Sequence, residues 1–148
     1  MRGLKRRRVA SLLKVASLRE REAFMEAMRK RTRLSAEERK VRERERRFGE
    51  ALASERGRRS GACPTFLLLL GAEALAKSFL SLREAKGQVE ALRAELERAC
   101  LKYVSRRRRR EAIEGRLKAL LASWRRALER AVQAEAEQSF ISARRAKS

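Results

Sequence analysis

The sequence SLREAKGQVEALRAELERACLKY, residues 81–103, carries an apolar side chain at every seventh position. The row extends in both directions and comprises Leu68, Leu75, Leu82, Val89, Leu96, Tyr103, Leu117 and Trp124, with one interruption at Arg110. A second row lies beside it and comprises Ala85, Leu92, Ala99, Ile113 and Leu120. A seven-residue repeat of this length is typical of an under-wound helix that packs along a seam against another helix. A core helix of an ordinary bundle is the alternative, but such helices rarely exceed about 20 residues.

The first part of the chain has a less regular row with the same spacing. Its apolar members are Leu13, Ala27, Leu34, Val41 and Phe48, and Glu20 interrupts it. Between the two parts, the segment GRRSGACP at residues 57–64 holds two glycines and the only proline. Proline cannot continue a preceding helix, and glycine permits the backbone angles that end one. We therefore predict helices at about 4–56 and 65–145, joined by a loop at 57–64.

Two long apolar-striped helices joined by a short loop pack as antiparallel neighbours. The predicted fold is all-α, with residues 1–148 forming a single domain, a long two-helix antiparallel coiled-coil hairpin with a C-terminal helical overhang. Folding back at the loop places Leu34 near Val89 and Phe48 near Leu75. The first helix is then exhausted before the second one ends, which leaves residues 120–145 as the overhang.

Two stretches of the second helix have more apolar residues than a two-helix hairpin can bury. The overhang has an amphipathic stripe of Leu120, Leu121, Trp124, Ala127, Leu128, Ala131 and Val132. The helix start has Phe66, Leu67, Leu68, Leu69 and Leu70 on all its sides, extended by Phe79 and Leu80. We expect interaction surfaces at both, with a frayed tail and self-association as the respective alternatives. Glu73 and Lys77 interrupt the apolar run, so no membrane span is expected and the protein should be soluble.

The composition excludes most catalytic and metal-binding chemistry. The chain has no histidine, all 19 acidic residues are glutamate, and asparagine is absent. Histidine-based triads, closed zinc sites and calcium loops are therefore excluded, and the glycines are too scattered for a phosphate loop. We expect no enzyme activity and no cofactor. Cys63 and Cys100 are too far apart along a helix to form a disulfide, and two free thiols fit a reducing compartment.

The net charge of +21 predicts an acidic partner, which could be nucleic acid, anionic lipid or an acidic protein surface. The basic residues are concentrated at Arg6, Arg7 and Arg8 and at Arg106, Arg107, Arg108, Arg109 and Arg110. A basic block before an apolar heptad row is the order found in basic-zipper proteins. However, those proteins read bases partly through asparagine, and this chain has none, so no specific nucleic acid is expected. The Arg-rich start also resembles a mitochondrial presequence, although the helical pattern continues past it.

The layout resembles the FliJ/YscO family, the central stalk proteins of flagellar or injectisome type III secretion. The opening LLKVASLREREA, residues 12–23, is similar to the YscO branch. The ending, with Glu137, Gln138 and Ile141, is similar to the FliJ-type tail. The chain departs from that tail at Ser142 and Ala143, where the family has acidic residues, so the branch stays open.

The resemblance implies a non-enzymatic cytoplasmic hairpin, associated peripherally with the membrane-embedded export machinery at the inner membrane. In that family the terminal end of the hairpin enters the hexameric export ATPase, another surface contacts the export gate protein, and some members bind export chaperones. For the ATPase we expect steering by Arg6–Arg8 and Arg106–Arg110, and an apolar anchor formed by Leu121, Trp124 and Leu128. For the gate or a chaperone we expect Phe66, Leu67, Leu70, Phe79 and Leu80. The alternatives are an RNA- or ribosome-binding basic coiled coil and a purely structural oligomer.

Overall fold

Two long helices account for nearly all of the chain. The computed structural model describes residues 2–146, with side chains from residue 3 onward. Helix α1 comprises Arg2–Arg59, and helix α2 comprises Thr65–Ala146. The helices pack against each other, and residues 2–146 include no strand. The predicted all-α helical hairpin is therefore confirmed.

The loop between the helices comprises residues 60–64, which makes it shorter than the sequence predicts. Helix α1 continues through Gly57 and ends at Arg59, where the hydroxyl of Ser60 donates a hydrogen bond of 2.8 Å to the Gly57 carbonyl oxygen. No described residue has a positive φ, so neither Gly57 nor Gly61 provides a left-handed helix end. The prediction of a glycine-terminated helix was wrong in this respect, because an ordinary turn and a serine hydroxyl end α1 instead.

The hairpin divides into two compact units, each built from a part of α1 and a part of α2. The terminal unit comprises Met1–Arg21 and Val104–Ser148, and the loop unit comprises Glu22–Tyr103. The loop unit contains the loop and the regular heptad rows of α2. The terminal unit contains the basic blocks and the tryptophan.

The heptad rows of α2 form the core of the loop unit. Its buried positions in α2 are Leu82, Ala85, Val89, Leu92 and Ala99, all of which belong to the two predicted rows. Leu34 of α1 packs against Val89 and Leu92, with Val41 and Leu96 partly buried at the margin. The seam therefore follows the seven-residue repeat, as a coiled coil requires.

The register of the loop unit differs from the prediction near the loop. Leu34 lies against Val89, as expected. The ring of Phe48 lies 6.0 Å from that of Phe79, which is four positions beyond the predicted neighbour Leu75. The observed neighbour of Phe48 on α2 is thus displaced from the predicted one by about one helical turn. The displacement arises because α1 ends later than predicted, which moves the centre of the loop toward α2.

Ion pairs connect the two helices on the outer sides of this seam. They are Lys30 with Glu95, Lys86 with Glu45, Arg93 with Glu38, and Lys102 with Glu26, at N–O distances of 2.8–3.7 Å. The hydrogen bond from Lys102 lowers the pKa of the Glu26 carboxyl group below its ordinary value. Exposed pairs of this kind contribute little stability individually, but opposite charges facing each other favour one alignment of the helices.

A buried glutamate continues the heptad row of α1 toward the loop. Glu55 follows Phe48 by seven residues and is only 5% exposed. Its carboxylate occupies the space beside Gly71, where a Cβ atom would overlap it. Arg59 lies 3.5 Å from the same carboxylate and balances its charge. Gly71 therefore serves packing rather than a turn, because it sits inside a helix and makes room for this acid.

The seam of the terminal unit contains a matched pair of charges. Ala16 is buried at 7% exposure, and Leu117 is half-buried on the α2 row. Glu20 interrupts the row of α1 and Arg110 interrupts the row of α2, and these two side chains form an ion pair with each other. The two interruptions therefore compensate each other, since each charge lies opposite its partner within the seam.

One part of α2 is apolar enough to cross a membrane by length and composition. The window is 65–82, since it holds only Glu73 and Lys77 as charged residues and Arg83 follows it. Its mean hydropathy is 1.5, and only 6% of it is buried in the fold. The expectation that Glu73 and Lys77 prevent a membrane span stays a prediction, because such a window is defined by length and composition alone. A single window of this kind is weak evidence for a membrane span.

Candidate protein-interaction surfaces

The terminal unit has an open groove between the start of α1 and the second half of α2. Its volume is about 440 Å³, and it is lined by Gly3, Lys5, Arg6, Leu120, Leu121, Ser123, Trp124 and Ala127. The floor is apolar and comes from α2, whereas the two basic side chains come from α1. Such a groove can accept an apolar side chain and an acidic group at the same time.

The predicted overhang therefore begins later than expected. Residues 120–127 were predicted to have no partner, yet they lie along the groove beside the first turn of α1. From Leu128 to Ala146, every described residue is exposed. The reason is again the later end of α1, which moves each α1 residue toward a higher-numbered partner on α2.

The three predicted anchor residues share one face of α2, because they are spaced by three and four positions. Leu121 is half-buried in the groove, whereas Trp124 is 50% exposed and Leu128 is 51% exposed. Tryptophan is among the side chains that contribute most to the binding energy of protein interfaces, and here it is half-exposed beside an exposed leucine. Further exposed apolar residues follow at Val132, Phe140 and Ile141, and of these Phe140 was not singled out from the sequence.

The basic residues assigned to steering fall into two groups. Arg6, Arg7 and Arg8 are exposed on the first turns of α1, and Arg108 and Arg109 are exposed on α2. Among the described residues, none of these five has a carboxylate within 4 Å. Their charge is therefore available to an external partner.

The remaining arginines of the block differ in their contacts within the terminal unit. Arg110 donates hydrogen bonds to Glu20 and, at 2.8 Å, to Glu114. The bond to Glu20 raises the pKa of the Arg110 guanidinium group above its ordinary value. Arg107 is paired with Glu111 at 2.9 Å. Arg106 is half-buried in a small groove beside Arg109. Arg110 in particular has a structural contact, which leaves less of its charge for steering.

The five residues predicted to contact the gate or a chaperone are all exposed. Phe66 is 68% exposed, and Leu67, Leu70, Phe79 and Leu80 are exposed by 45–55%. Leu69, at 66%, belongs to the same surface. We call Phe66, Leu67, Leu69, Leu70, Phe79 and Leu80 the loop patch. Phe66, Leu69, Leu70 and Leu80 lie on the side of α2 opposite the half-buried seam positions Leu68 and Leu75. Phe79 borders the seam, since its ring lies 6.0 Å from that of Phe48.

Comparison of the chain with models of protein families, with curated proteins and with solved structures finds no match. Within residues 2–146, no group of three or more histidine, cysteine or acidic side chains could hold a metal ion. Cys63 and Cys100 are both free thiols. The terminal groove and the loop patch are thus the features from which a function can be inferred.

Proposed function

We propose that this protein is a non-enzymatic stalk or adaptor of a type III secretion export apparatus. In this function it couples the hexameric export ATPase to the export gate, and it also binds export chaperones. It works in the cytoplasm, peripherally at the inner-membrane machinery. The proposal rests on the resemblance of the chain to the FliJ/YscO family and on the fold, since a two-helix hairpin is what that family requires.

The single observation that carries the proposal is the terminal groove. In the family, the terminal end of the hairpin enters the ATPase. Here that unit combines an exposed tryptophan with cationic side chains that have no carboxylate within 4 Å among residues 3–146. The lumen of a ring would cover Trp124 and Leu128, which are costly to leave in water. Exposed Arg6–Arg8, Arg108 and Arg109 would accelerate docking to an acidic ring entrance.

The anchor can be tested with the triple variant Leu121→Ala/Trp124→Ala/Leu128→Ala. We expect its affinity for the hexameric export ATPase to fall at least about 100-fold, because truncation of a few buried apolar anchors removes most of the binding energy of an interface. Retention of the ATPase on immobilised full-length protein and isothermal titration calorimetry both measure this change.

The matched control is Phe66→Ala/Leu70→Ala/Leu80→Ala, which removes three exposed apolar side chains from the loop unit. The control should bind the ATPase as the unmodified chain does. Undiminished binding by the Leu121/Trp124/Leu128 variant would contradict the anchor role. Equal loss in both variants would also contradict it, because the effect would then not be specific to the terminal unit.

A second candidate function, RNA binding by a basic coiled coil, is favoured by one observation. Arg19, Arg106 and Arg109 line one small groove of the terminal unit, and no carboxylate lies within 4 Å of them among the described residues. Three such guanidinium groups suit a phosphate backbone. Binding of mixed RNA that persists at physiological salt, with no affinity for the ATPase, would favour this function over the stalk.

A further inference from the structure

The loop patch, which the family resemblance assigns to the gate or a chaperone, has most of its apolar side chains on one side of α2. Within the window 65–82, Leu82 alone is buried, and the seam side is formed by Leu68 and Leu75. The opposite side presents Phe66, Leu69, Leu70 and Leu80 to solvent. The result is a helix face outside the core of the hairpin that is apolar at both of its ends. The ion-paired side chains of Glu73 and Lys77 lie between these ends on the same face.

The charges around the patch are positive in excess, since residues 55–84 hold five basic and three acidic side chains. Arg56, Arg58 and Arg59 form the last turn of α1, directly before the loop, and Arg83 follows the window. Glu55 is paired with Arg58 and Arg59, and Glu73 is paired with Lys77 at 2.9 Å. The third acid, Glu84, follows Arg83. An apolar helix face beside arginine side chains complements an anionic lipid surface, in which acyl chains lie beneath negative headgroups.

A second copy of the chain complements this surface less well. A two-fold contact brings the same patch of both copies together, and with it the same arginine-rich margins. No cluster of acids near the patch could balance them, since Glu73 is already paired within its own helix.

The depth of insertion follows from the packing. A membrane span would bury Glu73 and Lys77 at the centre of the hydrocarbon layer, which is costly even for a pair. It would also pull the seam side of α2 away from α1, whose last turns carry arginine and cannot enter the layer. The outer face of α2 can lie in the headgroup region while α1 stays in water.

We propose that the loop patch is a membrane-binding surface, which places the first turns of α2 flat in the interface of a bilayer that contains anionic phospholipid. Phe66, Leu69, Leu70 and Leu80 insert between the headgroups. Arg56 contacts lipid phosphate, whereas Arg58 and Arg59 keep their ion pairs with Glu55. This inference does not depend on the ATPase contact of the stalk function, because it uses no residue of the terminal unit.

The depth of the patch can be measured with a single tryptophan. In Phe66→Trp/Trp124→Phe the only tryptophan lies in the patch, whereas the unmodified chain has its only tryptophan in the terminal unit. Vesicles of phosphatidylcholine with phosphatidylglycerol, with part of the lipid brominated, are added to each full-length protein. We expect a blue shift and bromolipid quenching for the tryptophan at position 66 and neither for Trp124. Absence of quenching at position 66, or equal quenching at both positions, would overturn the proposal.

A charge-matched pair of variants separates apolar insertion from general attraction of a basic protein. Leu69→Glu/Leu70→Glu should lower vesicle partitioning at least about tenfold more than Val132→Glu/Ile141→Glu, which changes the net charge equally at exposed apolar sites of the terminal unit. Circular dichroism verifies that both variants fold. Equal losses would overturn the proposal, as would binding to pure phosphatidylcholine that matches binding to the anionic vesicles. A vesicle-free dimer that the patch variant abolishes would assign the patch to self-association instead.

Discussion

Leu92→Ala is expected to lower the free energy of unfolding by roughly 2–3 kcal/mol, near the lower end of the range for buried leucine. Leu92 is 7% exposed and packs with Leu34 and Val89 in the cluster at the centre of the loop unit. The loss is large relative to the stability that a two-helix hairpin can have, because such a fold buries little surface per residue. We expect no larger loss of unfolding free energy, since a narrow core can partly collapse into the space of the missing side chain.

The measurement is urea unfolding followed by far-ultraviolet circular dichroism, with Leu101→Ala as the control. Leu101 lies on the same helix but is 64% exposed, so its truncation should change the free energy of unfolding by less than about 0.5 kcal/mol. Equal losses in the two variants would contradict the assigned seam, because they would mean that both faces of α2 are equally buried.

Arg110→Glu is expected to destabilise the protein far more than Arg108→Glu, although both variants lose the same charge. At position 110 the new carboxylate would face Glu20, Glu111 and Glu114, which the arginine now contacts. At position 108 the side chain is exposed, and among the described residues no carboxylate lies within 4 Å of it. Removing one partner from a half-buried ion pair leaves the other charge uncompensated, whereas changing an exposed charge has a small effect.

The double variant Glu20→Arg/Arg110→Glu should recover part of the lost melting temperature, since it restores opposite charges across the seam. Replacing both residues by leucine should keep or raise the melting temperature, because an apolar pair avoids the desolvation of two charges. That leucine variant should also permit more than one alignment of the helices, which double electron–electron resonance between labels on the two helices of the terminal unit would show. If the Arg110→Glu variant has the same melting temperature as the Arg108→Glu variant, the ion pair between Glu20 and Arg110 does not stabilise the seam.

The sequence was sufficient to predict the helical hairpin and its seam, because a seven-residue repeat leaves one face for the partner helix. Leu82, Val89 and Leu92 are buried where the rows place them. Glu20 and Arg110 were recognised only as interruptions. Neither heptad row by itself explains why a charged residue interrupts it. The pairing of Glu20 with Arg110 becomes visible only when the register of the two helices is known.

The register could not be predicted to better than about one turn. It depends on where α1 ends, and Gly57 is compatible with both a helix and a loop. The structure continues α1 to Arg59, and this small difference moves the start of the overhang from residue 120 to residue 128. The surfaces were easier to predict than their boundaries, because an excess of apolar residues is a property of composition, while the partner of each residue is a property of register.

The most direct test of the proposed coupling function uses the single tryptophan of the chain. Incorporation of fluorotryptophan gives one fluorine NMR resonance, which reports on Trp124 alone even when a partner contains tryptophan of its own. We expect this resonance to shift and broaden when unlabelled hexameric export ATPase is added, and to stay unchanged with the same concentration of RNA. An unchanged resonance in a complex whose formation is verified independently, or a shift produced by RNA and not by the ATPase, would contradict the proposal that the terminal groove docks into the ring.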